Sequence, residues 1–497
     1  MNHEPEPGDC DGSSGQVEAA RGPLVTPVAG SGAAGSHRGF LPWLAVLAYG
    51  FGVLWREWYI LGVHQPREYI YSDMANYCDF ARRIAAGGYE QTAYDTVQPQ
   101  GNGFYLSWWY QLSGDWSWAT GASLVLCALL PVVIWWLARM LCGARTAWCA
   151  LLLSSCYFPF IDYGGYFLAE TPFTLLLVLG TALLVHAWRQ RRVMAGVAWG
   201  LAAGTAFGLA ADFKTHGALV AVVLLAIAMG TALRRRSLRA AMMPLAAGLA
   251  LTMSVLPMAM RATVLTGHPT LISTNGPLSA LIGHYDPAIA TFRFIDRQGV
   301  LTHWACPSTR QKGAHGTLLL HYPCYDGASC LATSWGWVRQ HPTDAFILSC
   351  DHVLDLYAGR TYPWPSYSTS WRLWTMVWEK LALLLVTVPA LATVVVVLSG
   401  DARRSRRVVL FLLSPILVLW ITVFLSSGEP RYRIPFDAYA VIIAAGGYVR
   451  LLARCTRSAT PAARTGPGTR VARPDGAASG HAGAATVSTA AEATTPA

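Results

Sequence analysis

Mostly apolar runs of about twenty residues pass without a single Asp, Glu, Lys or Arg at Trp116–Ala138, Thr171–Trp188, Val193–Ala211, Ala240–Met260, Leu381–Gly400 and Val408–Gly428. A helix rises 1.5 Å per residue, so each run is long enough to cross a hydrocarbon core about 30 Å thick. Shorter or interrupted runs occur at Gly39–Trp55, Thr146–Ile161, Gly217–Leu233 and Phe436–Ala453. The last holds Arg450 near its end, where a long side chain can reach the interface. Lipid offers no partner to backbone N–H and C=O groups, so a spanning segment must be a helix or a strand of a closed barrel. Barrel strands alternate every second residue, and these runs do not. Overall the chain is 54% hydrophobic and 13% charged, too little charge to cover the surface of a soluble domain. The predicted fold class is an all-α polytopic membrane protein with about ten transmembrane helices.

The formal net charge of +10 would suit nucleic acid, but its layout does not. The basic residues cluster at Arg139/Arg145, Arg189/Arg191/Arg192, Arg234/Arg235/Arg236/Arg239, Arg403/Arg404/Arg406/Arg407 and Arg450/Arg454/Arg457. Neighbouring clusters are separated by an even number of proposed spans, so all fall on one side. The positive-inside rule makes that side the cytoplasm, with both termini there. The chain reads as a multi-pass protein of the plasma (inner) membrane, in contact with membrane lipids and with no nucleic-acid partner.

The resulting organisation is a polar cytoplasmic tail (1–38), an N-terminal transmembrane core (39–260), a large extracytoplasmic loop (261–380), C-terminal transmembrane helices (381–454) and an Ala-, Thr- and Pro-rich tail (455–497) read as disordered. The first 38 residues lack the apolar core of a signal peptide. Between the first two spans lies an outside loop (56–115). After Asp73, apolar residues recur there at helical spacing (Tyr77, Phe80, Ile84, Ala85), as in a helix lying along the membrane surface. Thr96–Gly114 is uncharged but rich in Gln, Asn and Gly, and reads as re-entrant or interfacial rather than a span. The 261–380 loop predicts an amphipathic helix around WVRQHPTDAFILSCDHVLDLYAG. It also holds Cys306, Cys324, Cys330 and Cys350, which an oxidising compartment would let pair in three ways.

Ionisable residues at membrane depth are costly and therefore functional candidates. They gather at the outside ends of the predicted helices: Asp73, Asp79, Asp162, Glu170, Asp212, Lys214, His216, Arg261, Glu429, Arg431 and Arg433. Acids and bases collected at one face of a bundle, beneath an aromatic-rich loop, suit a charged, lipid-linked molecule.

The run from Leu137 to Val185, LARMLCGARTAWCALLLSSCYFPFIDYGGYFLAETPFTLLLVLGTALLV, resembles the core of the C-superfamily glycosyltransferases. It is similar to the branch of protein O-mannosyltransferases and aminoarabinose transferases. YSDMANY, GLAAGTAFGLAADFK, TGHPTLISTNGPLSALIGH and the RYRIP turn extend the resemblance, in the family's order, over about residues 40–450. The resemblance implies an integral membrane enzyme that moves a sugar from a polyprenyl-phosphate donor to an acceptor hydroxyl outside the cytoplasm, with inversion. The acceptor would be a lipid, a glycan or a protein. The first-loop acid, Asp73, would be the general base. Because Asp also favours helix N-caps, the residue reads equally as a cap for the following helix. Glu170 would be a second acid, orienting the acceptor or a cation. Lys214, Arg431, Arg433 and Arg261 are the candidates to hold the donor phosphate, or else are snorkelling anchors. Met74 follows Asp73 where the family commonly pairs two acids, so no metal and no cofactor is inferred. Two other readings use similar substrates. A transporter or flippase of lipid-linked sugars would place ionisable groups near mid-membrane, where this chain has almost none. An O-antigen ligase or polymerase would rely on Arg and His in a large outside loop.

Overall fold

The computed structural model describes residues 40–87, 93–295, 301–305, 316–321, 327–358, 369–400 and 402–458. The described residues up to Leu451 form one compact unit, and those from Leu452 to Ser458 end the last helix. The predicted tail 1–38 lies outside the described residues, as does the C-terminal tail beyond Ser458.

Helix α1 (Phe40–Glu57) continues into a π-helical turn, Trp58–Val63. Then α2 (Asp73–Ala85) and α3 (Gly101–Ser113) lie in the segment before the next long helix. The second and third proposed spans are α4 (Ser117–Cys142) and α5 (Ala144–Ser155), the latter followed by the single turn α6 (Phe158–Asp162). Four long helices follow: α7 (Glu170–Arg189), α8 (Val193–Phe213), α9 (His216–Arg234) and α10 (Leu238–Thr266). The large loop contains α11 (Asn275–Gly283), α12 (Gly327–Gln340) and α13 (Pro342–Asp355). A run of α14 (Thr369–Ala382), a π-turn (Leu383–Thr387) and α15 (Val388–Ser399) returns to the bundle, which α16 (Arg403–Phe424) and α17 (Pro430–Ser458) complete.

Among the described residues, eight helical segments are long and apolar enough to span: α4, α7, α8, α9, α10, Leu373–Ser399, α16 and Pro430–Thr456. The other two proposed spans, α1 and α5, are shorter. Helix α3 has 13 residues, about 20 Å of rise, too short to cross the bilayer core.

The bundle owes its close packing to small residues. Gly196, Gly200, Gly204 and Gly208 recur every fourth position along one face of α8, against α10. A methyl group on Gly200 would sit 2.7 Å from the Met243 carbonyl, and one on Gly204 would collide with the Ala247 carbonyl. In lipid, where burial of apolar surface gives helices no advantage, such backbone approach supplies the packing. Arg56, wholly buried at the end of α1, donates to Gly52 O (2.8 Å), Ser155 O (2.7 Å) and Ser154 O (3.2 Å). It thereby places a cation on the carbonyl end of α5, the negative end of its dipole.

The large loop differs from the sequence reading in two ways. It contains a three-stranded sheet in the order β2-β1-β3, with β1 (Ile289–Ile295) antiparallel to β2 (Leu301–Ala305) and parallel to β3 (Gly316–His321). The amphipathic helix predicted around WVRQHPTDAFILSCDHVLDLYAG is two helices, broken at His341–Pro342. Proline lacks an N–H and bars its predecessor from helical geometry, so it starts α13 rather than continuing α12. Cys330 is buried among Leu278 and Leu281, while Cys306 and Cys324 lie outside the described residues.

Candidate active site

Seven helix ends converge on one cavity of about 450 Å³: the starts of α2, α7, α9, α11 and α17 and the ends of α8 and α16. Its charged lining is Asp73, Glu170, Lys214 and Arg431. Tyr77, Gln98, His216 and Tyr432 line it too, with Asn275 and Ser279 of α11 and Ser426 and Ser427 before α17. Leu168, Phe213, Leu219 and Leu425 make the apolar part, and Leu219 and Leu425 are exposed. A second cavity of about 480 Å³, among Trp55, Trp58, Tyr59, Phe158, Trp374 and Trp378, is slightly larger but has no charged residue in its lining. Chemistry, not volume, singles out the first.

Asp73 is the first residue of α2, preceded by Ser72 at φ 51°, a backbone conformation that non-glycine residues rarely adopt. Its carboxylate does not cap the helix; both oxygens are engaged across the cavity. Oδ1 accepts from Gln98 Nε2 at 2.8 Å and Oδ2 from Arg431 Nη1 at 2.7 Å. Arg431 also keeps Nε 2.5 Å from Glu429 Oε2, a close ionic contact. On the other side, Glu170 opens α7 and accepts from Lys214 Nζ at 2.7 Å. Lys214 follows the last residue of α8, so its side chain leaves the bundle at the cavity. Glu170 is 2% exposed and Lys214 17%, whereas Asp73 keeps 27% of its side chain open. Burial, with the negative charge of Asp73 second, pushes the Tyr77 phenol well above its ordinary range, so it stays a protonated donor one turn along α2.

The other predicted phosphate ligands are elsewhere. Arg433, two residues after Arg431, points into the bundle, where Nε donates to Asp437 Oδ2 at 2.8 Å and Nη1 to Leu356 O at 3.1 Å. Tyr157 donates to the same Asp437 oxygen at 2.7 Å. Consecutive helical positions are rotated by about 100°, so residues two apart on α17 face nearly opposite ways. Arg261 near the end of α10 lies over the rings of Phe104 (4.7 Å) and Phe80 (5.8 Å), outside the cavity lining. Asp79 pairs with Arg83 on the surface at 3.0 Å, and Asp162 accepts from Tyr59 at 2.6 Å.

Sequence reading missed Gln98, Tyr77, Tyr432 and the polar residues of α11. Gln98 carried a signal: it opens the polar QPQGNG run in a stretch otherwise apolar enough to suggest membrane. Its loop is anchored by Arg83 to Asp95 (2.7 Å), by Gln100 to Asp95 O (3.0 Å) and by Thr274 N to Thr96 O (2.8 Å).

Residues 98–260 match the model of the dolichyl-phosphate-mannose-protein mannosyltransferase family, about a third of the chain. That segment includes Gln98, Glu170 and Lys214; Asp73 and Arg431 lie outside it. No curated protein matches the chain. Among solved structures, it is similar to the archaeal oligosaccharyltransferase AglB from Archaeoglobus fulgidus in complex with an inhibitory peptide and a dolichol-phosphate. The identity is 13% and the TM-score 0.50, over 84% of this chain and 52% of the other. The chain thus spans about half the length of that enzyme. ArnT from Cupriavidus metallidurans bound to undecaprenyl phosphate matches at 16% identity and a TM-score of 0.38, over 84% and 79% of the two chains. The chain is a polytopic helical membrane protein that shares the fold of that oligosaccharyltransferase, and its residues 98–260 are similar to the dolichyl-phosphate-mannose-protein mannosyltransferases.

Proposed function

We propose that this protein transfers a sugar from a polyprenyl-phosphate donor to an acceptor hydroxyl, with inversion, in the cavity between Asp73 and Lys214. The observation that carries the reading is the meeting of the Asp73 carboxylate and the Arg431 guanidinium, 2.7 Å apart, in a cavity that the Lys214–Glu170 pair also lines. Asp73 takes the acceptor proton as the acceptor oxygen bonds to the anomeric carbon. On the opposite face the bond from that carbon to the phosphate oxygen breaks. Phosphate departs without needing a proton, so one carboxylate suffices where glycosidases use two. Arg431 and Lys214 receive the charge developing on the leaving oxygen, in a site where fixed cations act through little water. Glu170 keeps Lys214 turned toward the cavity. General-base help of this kind contributes roughly 10²–10⁴-fold.

Two further features favour a lipid-borne donor. The apolar wall ends in the exposed Leu219 and Leu425, along which a prenyl chain would run into the bilayer. AglB, whose fold this chain shares, was solved with a dolichol-phosphate. The arginine-rich ends of α7, α9 and α17 are the ends away from the cavity, so the positive-inside rule supports an extracytoplasmic site. The acceptor, whether lipid, glycan or protein, would approach beneath α11.

Deleting the gene and analysing the host's envelope glycans and glycoproteins by mass should reveal one missing sugar and accumulation of its prenyl-linked donor. Complementation with Asp73→Asn should fail although the protein inserts at normal abundance. Full complementation by that variant would remove Asp73 from the chemistry.

A further inference from the structure

We propose that donor phosphate binds by exchange: it takes Arg431 away from Asp73, so the base is held by its own counter-ion until the donor arrives and is released by it. This inference rests on the reading of the cavity as a prenyl-phosphate site.

Every charged group lining the cavity is paired. Arg431 is on Asp73 and beside Glu429, and Lys214 is on Glu170. An entering phosphate must therefore compete with carboxylates, and the surroundings decide which pair opens. Glu170 is 2% exposed, so stripping Lys214 from it would leave a bare carboxylate out of water, a costly state. Lysine has three N–H donors, and Lys214 can reach a phosphate without leaving Glu170. Asp73 is 27% exposed, and water can take over the place of its guanidinium. Arg431 also has Glu429 as a second anchor, so giving up Asp73 does not leave it without an anion. The Asp73–Arg431 pair is the one that opens.

The two oxygens of Asp73 then have different fates. Gln98 is a neutral amide on a loop tied to α2 and to Thr274, and its N–H continues to hold Oδ1. Its amide nitrogen must face Asp73, because an ionised carboxylate only accepts. Gln98 is therefore a positioning residue. Arg431 leaves Oδ2, the oxygen that an acceptor hydroxyl otherwise has to win from a charge-assisted hydrogen bond. Donor binding prepares the base, and the guanidinium that leaves it meets the phosphate that must later depart.

An unusual consequence tests this without knowledge of the sugar: neutralising the base should tighten phosphate binding. The probe is radiolabelled farnesyl phosphate, with the full chain in phosphatidylcholine nanodiscs. Asp73→Asn should bind it up to about fivefold more tightly than wild type, the scale expected for releasing a partly exposed ion pair. Arg431→Gln should bind it more weakly, and adding Asp73→Asn to Arg431→Gln should change nothing further. Equal or weaker binding by Asp73→Asn overturns the exchange. So does equal tightening in the Arg431→Gln background, which would mean a general field effect. In either case the cavity remains a phosphate site if Arg431→Gln and Lys214→Gln weaken binding. Absence of saturable binding in all of these proteins overturns the phosphate-site reading, and the exchange with it.

Discussion

Arg431 and Arg433 differ by two positions and should fail in opposite ways. Arg433 and Asp437 are 2% and 3% exposed, and the guanidinium pairs with the Asp437 carboxylate at 2.8 Å. Arg433→Gln leaves the Asp437 carboxylate buried with the Tyr157 hydroxyl, and leaves Leu356 O without its donor. Breaking a buried pair on one side costs about 3–5 kcal/mol. Arg431→Gln breaks a pair whose carboxylate meets water, for which about 1 kcal/mol is the upper range. Unfolding midpoints of the purified proteins in detergent, beside complementation of the deletion strain, separate the two effects. Arg433→Gln should be strongly destabilised, and Arg433→Gln with Asp437→Asn should recover most of the loss, with function returning alongside. Arg431→Gln should melt near wild type and not complement. A stable Arg433→Gln protein without function would refute the assignment and return this arginine to the donor phosphate.

Removing Lys214 alone should destabilise the protein by about 2–3 kcal/mol, because Glu170 is left buried and unpaired; Lys214→Leu with Glu170→Leu should restore the unfolding midpoint but not complementation. Gly204→Ile should separate α8 from α10 and reduce the folded yield in membranes, measured by fluorescence-detected size exclusion, while Gly230→Ile on α9, where no atom lies near, should not. His64, packed between Tyr69 and Tyr166, is pulled down to about 4 by burial. Its folded form resists protonation that the unfolded chain accepts below about 6.5, so stability present above that pH is lost as pH falls toward 4, by at most about 3 kcal/mol. His64→Gln should flatten the unfolding midpoint across that window; an unchanged slope would refute the assignment.

Much of the architecture was legible because transfer into lipid is nearly a one-dimensional property. Charges forbid a stretch, apolar residues favour it, and the sum over about twenty neighbours decides without knowing what they touch. That is why the long spans, the arginine-rich ends and the collection of acids and bases at the opposite ends follow from order along the chain alone. The break at Pro342 is equally local, because a proline starts a new helix whatever the apolar periodicity around it.

The partners at the site belong to another kind of information. Asp73 and Arg431 are 358 positions apart, and their meeting depends on how α2 lies across α17 and how α17 is rotated about its axis. Rotation by two residues is all that separates a cavity arginine from a core arginine, and composition is the same for both. Gln98 became part of the site only because a loop is pinned to α2 on one side and to the start of α11 on the other. Hydropathy sums over neighbours in sequence, whereas ion pairing is decided within about 4 Å in space. The chain's order could therefore place these groups at one membrane face, and only the packed bundle could say which of them touch.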